Sequence, residues 1–410
     1  MGNQKILFVS GSLGLGHVTR DISMVRELRA RRKDLEIVWL ADSPASTYLR
    51  EAGEKVQPDL EGLSKGTNEI AESFAKDYEL RLNPMFMTWY KTFPERVKLI
   101  NALAEREKVD LIVGDETYDI YCEYAQHPKL KTKPFLLILD FIGAYLEEDE
   151  KWQLAFYMFQ RWTVKHMKKA YGKEGTLFIG ELDDISPDEL GFLLPNKREV
   201  ARRYATCVGQ ALNFDPMAIG GKEELRRKLG YGPEPLVLVT IGGTAAGAPL
   251  LTRAAEAYPM MKKAVPDLKM VIVQGPRVPM DYLKHADGME VKGMVPDLYQ
   301  HMAAADLVIS SGGGTTTTEL QALNKPFIYF PLEKHFEQQR CVSYHLDRDH
   351  VGRKMSFVKS DAQQLASAAL EDMGKKVSYS KMRIEGAKLS AEHIISVLDR
   401  IGKGEIKASG

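Results

Sequence analysis

Cysteine is scarce in this chain. Three occur among 410 residues, Cys122, Cys207 and Cys341, and none sits in a CxxC pair. That excludes a disulfide scaffold and a thiolate zinc cage, and makes a reducing, cytoplasmic setting the expectation. Excess charge is missing too, since Lys+Arg and Asp+Glu both count 56. Without a global field, nucleic acid is not the expected partner and charge must act locally. No stretch approaches the ~18–20 uninterrupted apolar residues of a membrane-spanning helix. The opening MGNQKILFVSGS turns straight into a strand, with no apolar run behind a basic start, so no signal peptide is expected. Contact with a membrane surface stays open, so the expected location is cytoplasmic or peripheral on the membrane's inner face.

What is present is a rhythm: a short apolar run, a glycine-rich turn, an amphipathic helix. Lys5–Ser10, Glu36–Ala41, Asp110–Gly114 and Pro134–Leu139 read as buried strands, and a helix follows the first from Val18 to Arg32. The rhythm restarts at Pro235–Ile241, with a helix near Leu251–Val265, and continues through Lys269–Gln274, Leu307–Ser311 and Pro326–Phe330. Fully apolar strands alternating with helices imply parallel sheets covered on both faces. The fold class is therefore α/β, with two Rossmann-like, doubly wound parallel-sheet domains. The Pro/Gly-containing stretch Ala211–Gly221 places the boundary near 211, giving domains 1–210 and 211–410. The tail Gly402–Gly410 is polar and expected to be loose.

Four loops fall beyond the carboxyl ends of strands, where open α/β sheets bind ligands. In Gly11–His17 the glycines run G-x-x-G-x-G, which is not the dinucleotide fingerprint. Gly16 and His17 sit where this loop becomes a helix. The helix dipole there disfavours an imidazolium, leaving a ring able to accept a proton, with helix capping as the competing role. Asp115-Glu116 ends a strand, where a carboxylate can orient an imidazole or merely cap the next helix. Gly242-Gly243-Thr244 offers N–H donors and a hydroxyl for a diphosphate, or a tight turn, and lacks a P-loop lysine. The richest loop is Ser310-Ser311-Gly312-Gly313-Gly314-Thr315-Thr316-Thr317-Thr318-Glu319, followed by Pro331 to Gln339. Its glycines and threonines suit phosphate oxygens, Glu319 suits two adjacent ribose hydroxyls, and Glu337 and Gln338 can reach sugar hydroxyls. Asn324 stands where a left-handed helix cap is expected.

The segment Gly293-Met294-Val295-Pro296-Asp297-Leu298, with Asp306, the triple glycine, Glu319, Pro326, Pro331 and His335-x-Glu337-Gln338-Gln339, resembles the donor-binding half of GT-B-fold glycosyltransferases that use nucleotide sugars. The similarity is to the bacterial lipid II-forming N-acetylglucosaminyltransferase and the wider UDP-glycosyltransferase superfamily. Gly16-His17 with Arg20 resembles the first loop of that family. The resemblance implies two domains facing across a cleft, the last helix (about 389–401) packing back on the first, and an inverting, metal-independent transferase. It implies that Glu319 binds ribose, that Gly312, Gly313, Gly314, Thr315, Thr316, Gly243 and Thr244 hold the diphosphate, and that Met294 and Val295 lie along the base. It places Glu337 and Gln338, with His335 and Gln339 in the same motif, at the donor sugar. It makes His17 the base and Asp115 the carboxylate that orients it. Ser311 departs from the plant-type signature, which has histidine there. No cofactor is implied; the nucleotide sugar, UDP-linked by analogy, is a co-substrate, and the acceptor is a small molecule or a lipid.

Residues 151–172 carry five basic and no acidic residues. On a helical wheel Trp152, Phe156, Phe159 and Trp162 share a face, with Arg161, Lys165 and Lys168 opposite. This suits an interfacial helix on anionic lipid, or a helix packed on the core. The aromatic patch Met85–Phe93 would line an apolar acceptor cleft or belong to the core. Asp347-Arg348-Asp349 is a formal D-x-D metal triplet on no clear strand. Competing functions are a sugar-nucleotide epimerase of the same architecture and a non-catalytic nucleotide-sugar sensor. A dehydrogenase using Asp42 leaves the Thr315–Gln339 region unexplained.

Overall fold

The computed structural model describes residues 4–11, 15–58, 66–147, 151–171, 175–283 and 287–407. The chain divides into two units. One comprises Met1–Ala71, Asn83–Asn213 and Met382–Gly410; the other comprises Glu72–Leu82 and Phe214–Lys381.

The first unit holds six parallel strands, β1 (Lys5–Val9), β2 (Glu36–Leu40), β3 (Leu111–Asp115), β4 (Phe135–Leu139), β5 (Thr176–Ile179) and β6 (Ala205–Gly209). Their order is β2-β1-β3-β4-β5-β6. Strands such as LIVGD and FLLIL are buried along their whole length, because helices cover both faces. The order reverses beside β1: the chain moves outward to β2, then returns to place β3 on the other side. That switch point opens a crevice at the carboxyl ends of β1 and β3. Helix α1 (Gly16–Arg31) starts there.

The second unit repeats the plan with β7 (Leu236–Thr240), β8 (Lys269–Val273), β9 (Met289–Lys292), β10 (Leu307–Ser311), β11 (Phe327–Phe330) and β12 (Arg353–Lys354). Their order is β9-β8-β7-β10-β11-β12, again parallel, and its switch point lies between β7 and β10.

A single cut near 211 is corrected by the segment Glu72–Leu82, which belongs with the second unit. Its short hairpin (Ala75–Lys76 with Glu79–Leu80) hydrogen-bonds through Leu80 N–H and Tyr78 C=O to Glu333. The Tyr78 ring stacks on Phe357 at 4.1 Å and its hydroxyl donates to Phe330 C=O. The final helix, Gly386–Gly402, lies in the first unit, where Ala391, Ile394, Val397 and Leu398 join the core of Val18, Ile22 and Val25. Among the described residues no helix is long and apolar enough to cross a membrane.

Candidate functional site

At the first switch point, Gly11 makes room for a charged cluster. A Cβ there would meet the Asp115 carbonyl oxygen and His17 Cγ, each at 3.0 Å. Ser12–Gly14 lie outside the described residues. Asp115 ends β3 and is fully buried, and Thr117, not Asp115, occupies the cap position of the next helix, without a side-chain capping bond. His17 is not a cap either; the cap position of α1 is Leu15. The structure brings His17 beside Asp115, with Arg20 sharing both groups. The Arg20 guanidinium grips Asp115 with two bonds, Nη2 to Oδ1 at 2.5 Å and Nε to Oδ2 at 2.7 Å. Nη1 reaches Asp140 Oδ2 at 2.8 Å, and Nη2 also lies 2.8 Å from His17 Nδ1, while Asp115 Oδ1 stands 3.4 Å from that nitrogen. A guanidinium can only donate, so the Arg20 contact is a hydrogen bond only in the tautomer with a bare Nδ1, whereas Asp115 Oδ1 is served by the tautomer with Nδ1–H.

Two more acids complete this cluster. Asp21, fully buried, accepts from Ser10 Oγ at 2.5 Å, and Glu116 accepts from Asp140 N–H at 2.9 Å. Four carboxyls around one guanidinium cannot all ionise cheaply. Burial acts to raise Asp115 and Asp140, but the Arg20 charge, helped by His17, overrides it and holds both low. Asp21 and Glu116 go the other way, pushed well up by burial and by their ionised neighbours.

At the second switch point, Gly242 turns at φ +74 and Thr244 caps the following turn by accepting from Ala246 N–H at 3.3 Å. Across β10, Ser311 donates to Ile241 C=O, so its hydroxyl is committed to the sheet edge. A Cβ on Gly312 would come within 2.8 Å of Pro331 Cα, whereas one on Gly313 meets nothing within 4 Å. Helix α2 (Gly314–Ala322) begins here, and its threonines divide by role. Thr317 bonds back to Gly313 and Gly314 C=O, which offsets its poor helix propensity; Thr315 and Thr316 are half-exposed. Glu319 is buried, and among the described residues no group hydrogen-bonds its carboxylate. Burial alone pushes it up to about 8. Asn324 adopts φ +49 just past this helix.

Met294 is 44% exposed in the turn after β9, with Val295 half-buried beside it. Glu337–Val342 forms a π-helical turn, a distortion often found at functional sites. Much of its polarity is spent internally. Gln338 Oε1 accepts from Leu332 N–H at 2.8 Å, Gln339 Nε2 donates to Pro331 and Leu332 C=O, and His335 Nδ1 accepts from Gln338 N–H at 3.4 Å. Glu337 remains half-exposed. In the D-x-D triplet, Asp349 pairs with Arg348, and Asp347 with Tyr329 OH and Lys354.

The basic helix spans Gln153–Tyr171; the side chains of Lys168 and Lys169, and Gly172, lie outside the described residues. Most of the wheel's aromatic face is packed, and Trp152 alone of the four is exposed. Phe159 stacks with Trp162 and packs on Phe86, whose ring also meets Trp89, Phe93 and Tyr118. The exposed stripe is Leu154, Met158, Arg161 and Lys165, with Trp152 at its start. Met85, Trp89 and Phe93 are buried, so that patch is largely core.

Residues 236–397 match the glycosyltransferase family 28 C-terminal domain, which covers both glycine loops and Glu319. The chain is 25% identical over 364 residues to an uncharacterized glycosyltransferase of Methanosarcina acetivorans, covering 86% of this chain and 84% of that protein. An uncharacterized glycosyltransferase of Methanosarcina mazei is 29% identical over 148 residues, 36% of this chain and 38% of its own. A UDP-N-acetylglucosamine--N-acetylmuramyl-(pentapeptide) pyrophosphoryl-undecaprenol N-acetylglucosamine transferase of Carboxydothermus hydrogenoformans is 26% identical over 175 residues, 41% of this chain and 46% of that protein. The last two alignments span less than half of those relatives. The solved glycotransferase of kitacinnamycin superposes with a TM-score of 0.59 at 16% identity, covering 100% of this chain and 97% of that one; this likeness is one of fold. Residues 236–397 carry a glycosyltransferase family 28 C-terminal domain, and the fold is of the GT-B kind.

The sequence alone did not single out Asp21, Asp140 or Arg277. Asp140 follows the apolar strand FLLIL much as Asp115 ends LIVGD, and that parallel was a usable signal. Arg277 follows Gln274-Gly275-Pro276 after β8, a polar break beyond a strand end that carried no named motif.

Proposed function

We propose that this chain is a glycosyltransferase that moves a sugar from a UDP-sugar to an acceptor hydroxyl, with inversion at the anomeric carbon and no metal ion. The observation that carries the reading is Glu319: a buried carboxylate lacking any hydrogen-bond partner among the described residues, in a helix opened by three glycines. Its oxygens are unpaired yet not sealed from solvent, so they stay open to donors from a ligand, and a ribose diol supplies two side by side. The open backbone at Gly313, with the Thr315 and Thr316 hydroxyls, then suits the diphosphate, whose charge grows as the sugar leaves. The uridine assignment is supported by the named donor of the Carboxydothermus relative.

His17 takes the acceptor proton in this proposal. It does so through Nε2, in the tautomer whose Nδ1–H faces Asp115, so the Arg20 contact to Nδ1 has to give way first. Catalytic hydrogen bonds commonly tighten only once substrate is bound. The acceptor is proposed to be lipid-linked, because Trp152, Leu154 and Met158 stand 52%, 76% and 54% exposed next to Arg161 and Lys165, a combination suited to an anionic bilayer surface.

The test is a transfer assay against a panel of nucleotide sugars in excess EDTA, with product anomers read by NMR. Transfer from a UDP-sugar with inverted configuration supports the proposal. Conversion of the donor without any acceptor would instead identify an epimerase, and tight binding without turnover a sensor.

A further inference from the structure

Three donors in the second unit converge on one internal carboxylate. Glu72 Oε1 accepts from Arg277 Nη1 at 2.5 Å, from Thr244 Oγ1 at 3.3 Å and from the Ala245 N–H at 3.3 Å. The two loops that carry these donors are held together by a close backbone approach. Gly275 turns at φ +78, and a Cβ there would lie 2.4 Å from the Gly242 carbonyl oxygen. Arg277 is thereby fixed over the Gly242–Thr244 turn, beyond the carboxyl ends of β7 and β8. Among the described residues, Glu72 is its only ion-pair partner.

Taken as a stabilising contact, this ion pair is weak: its side chains are 16% and 28% exposed, and such pairs contribute little. As an anion site it is well made. A guanidinium, a hydroxyl and a backbone N–H at the switch point of a parallel sheet are the donors that a phosphate oxygen uses, and a carboxylate oxygen mimics that ligand in charge and size.

We propose that Arg277, Thr244 and the Ala245 N–H form a subsite for a phosphate oxygen of the donor's diphosphate, and that Glu72 is its internal counter-ligand, displaced when the donor binds. This rests on the nucleotide-sugar reading above. Glu72 lowers the apparent affinity of any anion by the fraction of molecules in which it occupies the site. A lone phosphate gains only the subsite and competes poorly. A nucleoside diphosphate also engages Glu319 and the glycine turn and displaces the carboxylate, so the device selects for the whole donor.

The experiment is calorimetric titration of the full chain with UDP and, separately, with inorganic pyrophosphate. Wild type is compared with Glu72→Gln, Arg277→Gln and the double variant, and thermal melts check that each is folded. Glu72→Gln is expected to tighten pyrophosphate about fivefold or more. Arg277→Gln is expected to weaken it about tenfold, the loss of one charge-assisted bond. In the Arg277→Gln background, Glu72→Gln should lose most of its effect. If this pattern appears with pyrophosphate while UDP binds no better, the subsite stands and the nucleotide reading fails. If Glu72→Gln leaves pyrophosphate affinity unchanged or weaker, or Arg277→Gln does not weaken it, the subsite is overturned.

Discussion

Nη2 of Arg20 stands 2.8 Å from Nδ1 of His17 while holding Asp115 Oδ1 at 2.5 Å, so one guanidinium nitrogen lies against both the ring and the carboxylate. In the free protein, ¹⁵N NMR should find His17 protonated on Nε2. Addition of donor and a slow acceptor should move the proton to Nδ1. His17→Ala should cut turnover by about 10²–10⁴ with nucleotide affinity nearly intact. A ring that never changes tautomer, together with undiminished turnover in His17→Ala, would remove it from the mechanism.

Arg20 also holds the cluster together. Arg20→Met leaves the buried Asp115 and the half-buried Asp140 beside Asp21 and Glu116 without the Arg20 charge, and should cost about 3–5 kcal/mol in urea unfolding at pH 7. The sign with pH follows from the lowered native values of Asp115 and Asp140. Their pairing contributes stability above the unfolded carboxylate range and loses it as pH falls through the native values. The gap between wild type and variant should therefore narrow toward acid pH; a constant gap from pH 7 to 3 would show that the pairing carries no net stability.

Glu319 behaves in the opposite sense. Its native value of about 8 lies above its ordinary 4.5, so the folded protein holds a proton that the unfolded chain releases. Stability then falls as pH rises from about 4.5 to 8, by up to ~5 kcal/mol. Glu319→Gln should melt close to wild type at pH 5 and clearly above it at pH 8.5. Equal melting temperatures at both pH values would show that the carboxyl is not held protonated.

The same proton should appear in binding. On the proposal that Glu319 binds ribose, the diol donates to the ionised carboxylate, so UDP affinity should rise between pH 6 and pH 8 and level off above. Glu319→Gln should bind UDP more weakly and lose that rise. Calorimetry in two buffers of different ionisation enthalpy checks it, because proton release on binding makes the measured heat buffer-dependent.

Membrane contact can be read by co-sedimentation with vesicles. Wild type should pellet with phosphatidylglycerol-containing vesicles more than with neutral ones, and Leu154→Glu with Met158→Glu should abolish it. Equal partition into both vesicle types, or no effect of the double variant, points to a soluble acceptor.

Strands inside the sheets were legible because burial on both faces writes itself as an unbroken apolar run: Leu236–Thr240 and Leu307–Ser311 stand where their sequence puts them. Thr176–Ile179 and Ala205–Gly209 were not legible. The first has only four residues, and the second lies at the sheet edge, where ATCVG needs little apolar surface. The glycine loops showed themselves through composition. The wheel of the basic helix grouped Phe159 with Trp162 opposite Arg161 and Lys165, but which of its two readings holds was decided by Phe86, 73 residues upstream, which packs on Phe159 and leaves Leu154 and Met158 outside.

Composition and local pattern settled that this chain builds two parallel sheets with glycine-rich turns at their carboxyl ends, since strand burial and helix amphipathicity are read within a few neighbouring residues. Which charges meet was decided only by the tertiary structure. Arg20 and Asp115 are 95 residues apart, and Glu72 and Arg277 are 205 apart. Their contacts depend on which loops each switch point brings within a few ångströms, and Coulomb attraction at that range responds to distance in space and to burial, neither of which sequence spacing encodes.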